Sequence, residues 1–170
     1  MKEARGNMLT IDCDAIVITT NGYVKPNGEC VMGKGIAKQV AELFPELPKL
    51  LGTRIAKMGN KVHWFSFEGV NEVLVSFPVK SSYEAFDGTN AVEHMRGKFK
   101  QGDVVPGWAC KARIELIENS AHQLVHMANQ FGWKNIICPR FGCGAGELDW
   151  NQVKQIVEPI LDDRFTVYTF

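Results

Sequence analysis

The sequence predicts one α/β domain with helices on both faces of a central mixed sheet. Three observations carry this. Apolar, strand-like runs alternate with helical patterns along the whole 170-residue chain. Asp14 to Thr20 is a continuous apolar run, the kind buried on both faces of a parallel sheet. The length suits a single well-filled core, and a composition of 45% apolar and 22% charged residues is ordinary for a globular domain.

The elements follow in order. After the 14–20 strand, Lys34 to Leu47 reads as a helix, with Ile36, Val40, Leu43, Phe44 and Leu47 on one face and Pro45 and Pro48 at its end. A shorter helix covers Lys49 to Met58, closed by Gly59-Asn60. Lys61 to Phe67 and Glu72 to Val79 read as strands joined by a turn, a hairpin. Residues 81–107 are polar and aperiodic and read as a long inserted loop, a feature that is often functional. Ala109 to Phe131 is a long amphipathic helix ended by Gly132. A strand at Asn135 to Cys138, a helix at Trp150 to Leu161 and a strand at Phe165 to Phe170 complete the chain.

Bulk properties exclude several function classes. Zero formal net charge removes the broad basic footprint of a nonspecific nucleic-acid binder. No apolar run reaches membrane-spanning length and residues 1–7 hold no signal-peptide core, so the reading is a soluble, cytoplasmic protein with no membrane partner. Five cysteines without a CxxC pair argue for free thiols in a reducing compartment, not a zinc ribbon or thioredoxin motif.

Two glycine-rich loops each follow an apolar run and lead into a helix: Gly28 to Ala37, and Pro139 to Glu147. Bare backbone at a helix N-terminus presents unpaired N–H groups to an anion, and two such loops can clamp a diphosphate. The first loop has the Gly28-x4-Gly33-Lys34 spacing of an NTPase phosphate loop, but Gly35 replaces the Ser/Thr that would hold magnesium. The dinucleotide GxGxxG pattern fails as well. Asn21 ends a buried strand, and its amide suits a ribose hydroxyl or a water, though Asn-Gly is also a common turn. Lys80 follows the strand 72–79, where a lysine can bind phosphate or act as base or nucleophile; most lysines are simply solvated. His122 and His126 share a helix face and, with Glu115, Glu118 or His94, would make a metal site conceivable. Without an HExxH pattern they read better as helix-surface histidines.

Taken together, these segments resemble the macro domains. Asp14 to Asn21 is similar to their "DAIVNAAN" strand, Met32 to Ala37 to their first phosphate loop, and Pro139 to Gly146 to their second. The closing Thr166 to Phe170 is similar to their last strand, so the resemblance runs from about Gly6 to the C-terminus. Within the family, Phe77-Pro78-Val79-Lys80 resembles the "FPTK" segment, and Gly142 to Trp150 the "GCGxGGLxW" stretch, of DNA-ADP-ribose-hydrolysing antitoxins. Terminal ADP-ribose glycohydrolases and small phage-type ADP-ribose-1''-phosphate phosphatases are in the same subgroup.

The resemblance implies a three-layer α/β/α macro domain over residues 1–170, with 81–107 inserted. It implies ADP-ribose binding and hydrolysis of ADP-ribosyl linkages at the distal ribose C1'', from protein, nucleic acid or a 1''-phosphate. A non-catalytic ADP-ribose reader is the alternative. Lys80 and Asn21 would be catalytic. Asn7, Met8 and Phe170 would lie at the adenine, and Asn21 at the distal ribose. Gly33, Gly35 and Ile36 would meet the diphosphate from one side, with Thr20, Met32 and Lys34 also among the ADP-ribose-binding residues. Gly142, Cys143, Gly144, Ala145 and Gly146 would meet it from the other, with Phe141 and Glu147 also among the ADP-ribose-binding residues. No metal or cofactor is implied, the protein would be a monomer, and a nucleic acid could carry the substrate. Two departures stand out. Asn7 occupies the place of an adenine-binding Asp, and Gly146 that of the glycohydrolases' catalytic Asp.

Overall fold

A computed structural model describes residues 1–170. Six strands form a mixed sheet in the order β1-β8-β7-β2-β4-β3. They are β1 (Lys2–Arg5), β2 (Ala15–Thr20), β3 (His63–Phe65), β4 (Val73–Pro78), β7 (Ile136–Pro139) and β8 (Phe165–Thr169). All neighbours are parallel except β3 on β4, the expected hairpin pair. The core strands alternate between two apolar clusters, as the two-residue side-chain period requires. Ala15, Val17, Val75, Phe77, Ile136, Cys138, Phe165 and Val167 face one cluster, completed by α4 (Ile114–Phe131) and α5 (Trp150–Val157). Ile16, Ile18, Leu74 and Ile137 face the other, with α1 (Gly35–Leu43) and α2 (Leu47–Met58). The expected three-layer α/β/α architecture is what the chain adopts. Asp14 secures the start of β2, its Oδ2 accepting the Lys134 and Asn135 N–H groups at 2.7 and 2.9 Å.

Four expectations are corrected. The strand β1 was not foreseen; Lys-Glu-Ala-Arg has no apolar alternation, because it is an exposed edge strand paired only with β8. Helix α1 ends at Leu43, before the Pro45 that the longer reading included. Helix α4 begins at Ile114 and not at Ala109: the Ala112 and Arg113 N–H groups donate to Gly146 and Val79 carbonyls instead of continuing a helix. Helix α5 ends at Val157 rather than Leu161.

The 81–107 stretch is not a bare loop. It forms a small cap built on an antiparallel pair, β5 (Tyr83–Ala85) and β6 (Val104–Pro106), with a short helix α3 (Glu93–Arg96) between them. Phe86, Ala91, Val105, Ala109 and Cys110 give it a core of its own, against which Met95 and Phe99 pack. Aperiodicity hid these elements because each is only three or four residues long.

Candidate functional site

The parallel strands end side by side along one sheet edge, where ligands of open α/β sheets lie. In sheet order this edge presents Asn7 beyond β1, Phe170 beyond β8, the second glycine loop beyond β7, Asn21 beyond β2 and Lys80 beyond β4. From β8 to β4 is three strand spacings, about 14 Å. The sequence-predicted residues thus stand along an elongated track.

Both glycine loops border one cleft of about 650 Å³. It is lined by Gly33, Lys34, Gly35 and Lys38 on one side, Gly144, Ala145 and Glu147 on the other, and Val92 and His94 of the cap. The backbone N–H groups of Gly33, Lys34, Gly144, Ala145 and Gly146 donate no hydrogen bond within the protein. Helix α1 starts without a side-chain cap, so its first N–H groups add to this donor set. A Cβ on Gly35 or Gly144 would meet nothing within 4 Å, so at these positions bare backbone faces open space. The arrangement is suited to an anion approached from two sides.

Other glycines are there for packing. A Cβ on Gly146 would stand 2.5 Å from the Gly142 carbonyl oxygen and 2.6 Å from the Ala112 methyl. No acidic side chain fits at that position. The next residue, Glu147, is the one non-glycine residue with a left-handed backbone, at φ 63°. Its Oε2 accepts the Glu93 N–H at 2.9 Å, fastening the second loop to the cap.

Lys80 lies just beyond the end of β4, 7% exposed. Its Nζ donates to the Trp108 carbonyl at 3.2 Å. Its position is secured on three sides. Val79 N–H donates to Thr20 O at 2.9 Å, Asn60 Nδ2 donates to the Lys80 carbonyl at 3.0 Å, and Ser120 Oγ on α4 donates to Pro78 O at 2.8 Å. Burial pushes the ammonium down to about 8, with the Lys34 charge acting the same way; Cys110 and Glu147 pull it up. A lysine in this state supplies free amine near neutral pH.

Asn21 is buried and occupied. Its Nδ2 donates to the Val31 carbonyl at 2.9 Å and its Oδ1 accepts the Tyr23 N–H at 2.8 Å. The side chain thus ties β2 to the first glycine loop, leaving one N–H and one lone pair for a ligand. Met8 and Phe141 are fully buried, Phe141 stacking on Phe77 at 4.3 Å, so their side chains belong to the core. Ile36, Met32 and Thr20 are buried and do not line the cleft. Asn7 Oδ1 caps the turn at Met8–Thr10 by accepting the Leu9 N–H at 3.0 Å, which leaves its amide donors free. Phe170 is 70% exposed beside it. Burial pushes the Cys143 thiol up to about 11, so a thiolate role is disfavoured.

His122 and His126 lie exposed on α4, whereas His94 stands in the cleft with Nε2 3.4 Å from Lys34 Nζ. The residues the sequence did not point to in this site are Lys38 on α1, Val92 and His94 of the cap, and the carbonyl of Trp108 just after it. No local spacing relates the last three to the residues they meet.

A macro domain family model matches residues 100–157, the stretch holding α4, β7, the second glycine loop and α5. No curated protein matches the chain. Among solved structures, the macrodomain of Mycobacterium tuberculosis DarG superposes with a TM-score of 0.72 at 20% identity, over 99% of this chain and 97% of that one. The macrodomain of Thermus aquaticus DarG gives 0.71 at 22% identity, over 99% and 96%. Thermosipho africanus DarTG, solved in complex with ADP-ribose, gives 0.73 at 18% identity, over 98% of this chain and 40% of that one. The fold is that of the macro domains.

Proposed function

We propose that this macro-domain fold binds ADP-ribose along the carboxyl edge of its sheet and hydrolyses the bond at the distal ribose C1''. The diphosphate lies between the two glycine loops. The adenosine extends toward Asn7 and Phe170, and the distal ribose toward Asn21 and Lys80. The observation that carries this reading is Lys80: a buried amine with a lowered pKa, at the end of the track that passes through the anion clamp. A free amine there acts as base or nucleophile toward C1'', and water supplies the hydroxyl that replaces the leaving group. The DarTG structure with ADP-ribose supports the choice of ligand, since that protein shares this fold.

A second reading, an ADP-ribose reader without turnover, is favoured by one observation. Gly146 has no room for the acid that a lysine–aspartate pair would need. The test is a substrate panel of DNA-linked, carboxylate-linked and phosphate-linked ADP-ribose, with ADP-ribose binding measured alongside. Release of ADP-ribose from any member supports hydrolysis. Binding without release supports the reader, and absence of binding rejects both.

A further inference from the structure

The cap places one ionisable side chain in the cleft that neither glycine loop supplies. His94, on α3, reaches Lys34 at the start of α1, its Nε2 3.4 Å from Lys34 Nζ. The ammonium can only donate, so Nε2 is the acceptor in this contact. Two basic groups meet here without an acid between them: neither Lys34 nor His94 forms an ion pair. Lys38, one helical turn on, is only loosely held by Glu42 at 3.9 Å. The nearest carboxylate lining the cleft, Glu147, is occupied by the Glu93 N–H on the neighbouring cap residue. Consecutive cap residues therefore contact the two glycine loops, Glu93 through the second and His94 through the first. Helix α3 bridges the gap across which the unpaired backbone N–H groups face each other.

We propose that His94 is a diphosphate-binding residue, acting as a pair with Lys34 as the third wall of the clamp. When a diphosphate enters, the Lys34 ammonium turns from the imidazole to a phosphate oxygen. The imidazole ring then turns so that its protonated nitrogen donates to the same group. This makes the cap a part of the ligand site and assigns the cleft a ligand bearing at least two negative charges. The inference rests on the ADP-ribose reading only for the identity of the ligand, since inorganic pyrophosphate tests the pair by itself.

The experiment is calorimetric titration of the wild type, His94→Ala, His94→Gln, Lys34→Ala and the double Ala variant. The probes are ADP-ribose, ADP, adenosine and inorganic pyrophosphate. His94 is exposed, so the variants should fold, and circular dichroism verifies this. A charge-assisted hydrogen bond corresponds to roughly tenfold in affinity. His94→Ala is expected to weaken ADP-ribose and ADP by about that factor and leave adenosine unchanged, with His94→Gln retaining part of the loss. The double variant should lose less than the product of the two single losses, because the pair acts on one group. Equal binding of ADP-ribose by wild type and His94→Ala overturns the proposal, as does a matching loss for adenosine. If the wild type does not bind ADP-ribose, the functional reading fails and pyrophosphate decides. Pyrophosphate binding weakened by His94→Ala upholds the pair, and no such weakening overturns it.

Discussion

At Lys80 the fold maintains a charge where solvent is scarce. Burial lowers its pKa from an ordinary 10.5 to about 8, so between those values the unfolded chain binds more protons than the folded one. Stability contributed at this position therefore rises as pH climbs from about 8 to 10.5, and is lost again as pH falls. Comparing urea melts of the wild type and Lys80→Met across that window should show the wild type gaining about 1–3 kcal/mol relative to the variant. The same titration predicts that kcat/KM rises with pH and levels off above about 8, a limb absent from any residual Lys80→Ala activity. Gly146 makes the opposite kind of prediction. Restoring an acid there forces a Cβ against the Gly142 carbonyl and the Ala112 methyl, so Gly146→Asp should cost about 1–3 kcal/mol in denaturant melts and add no turnover.

At the scale of elements, the cap determines what Lys80 touches. Gly107 lies so close to the Ser81 carbonyl that any Cβ collides with it, and its N–H donates to Ser82 O at 2.8 Å. The following residue, Trp108, supplies the carbonyl that holds the Lys80 amine. Gly107→Ala is expected to lift this turn and to slow turnover several-fold while leaving adenosine affinity unchanged, read by steady-state kinetics beside calorimetry. None of this was legible in the sequence. The long strands and helices were, because β2 and β4 are predominantly apolar and α4 keeps its period over 18 residues. The glycine loops were legible because backbone freedom is written in residue identity. The cap was not, since its elements of three or four residues are too short for a period to show and its core closes only when Phe86 meets Val105 and Cys110. Asn21 was read as a sugar contact, and its binding to Val31 O and Tyr23 N–H depends on where the first loop returns. The sequence marks Glu147 only as a ligand contact, and its bond to the Glu93 N–H comes from a residue 54 positions away.

At the scale of the molecule, the parallel order β1-β8-β7-β2-β4 turns a one-dimensional sequence into a ligand track. Residues from both ends of the chain, Asn7 and Phe170, stand at one end of the edge, and Lys80 stands at the other. The two clamp loops lie between them because β7 and β2 are central and adjacent. In the proposed function this layout separates binding from chemistry: the clamp belongs to backbone N–H groups and the proposed basic pair at the cleft, the reaction to one buried amine. That separation is the central claim. It is tested most directly by measuring, on one preparation of Lys80→Ala, both ADP-ribose affinity and ADP-ribose release from whichever panel substrate the wild type cleaves. The account predicts wild-type affinity within about threefold, and release slowed by roughly 10²-fold or more. Release at the wild-type rate would contradict it.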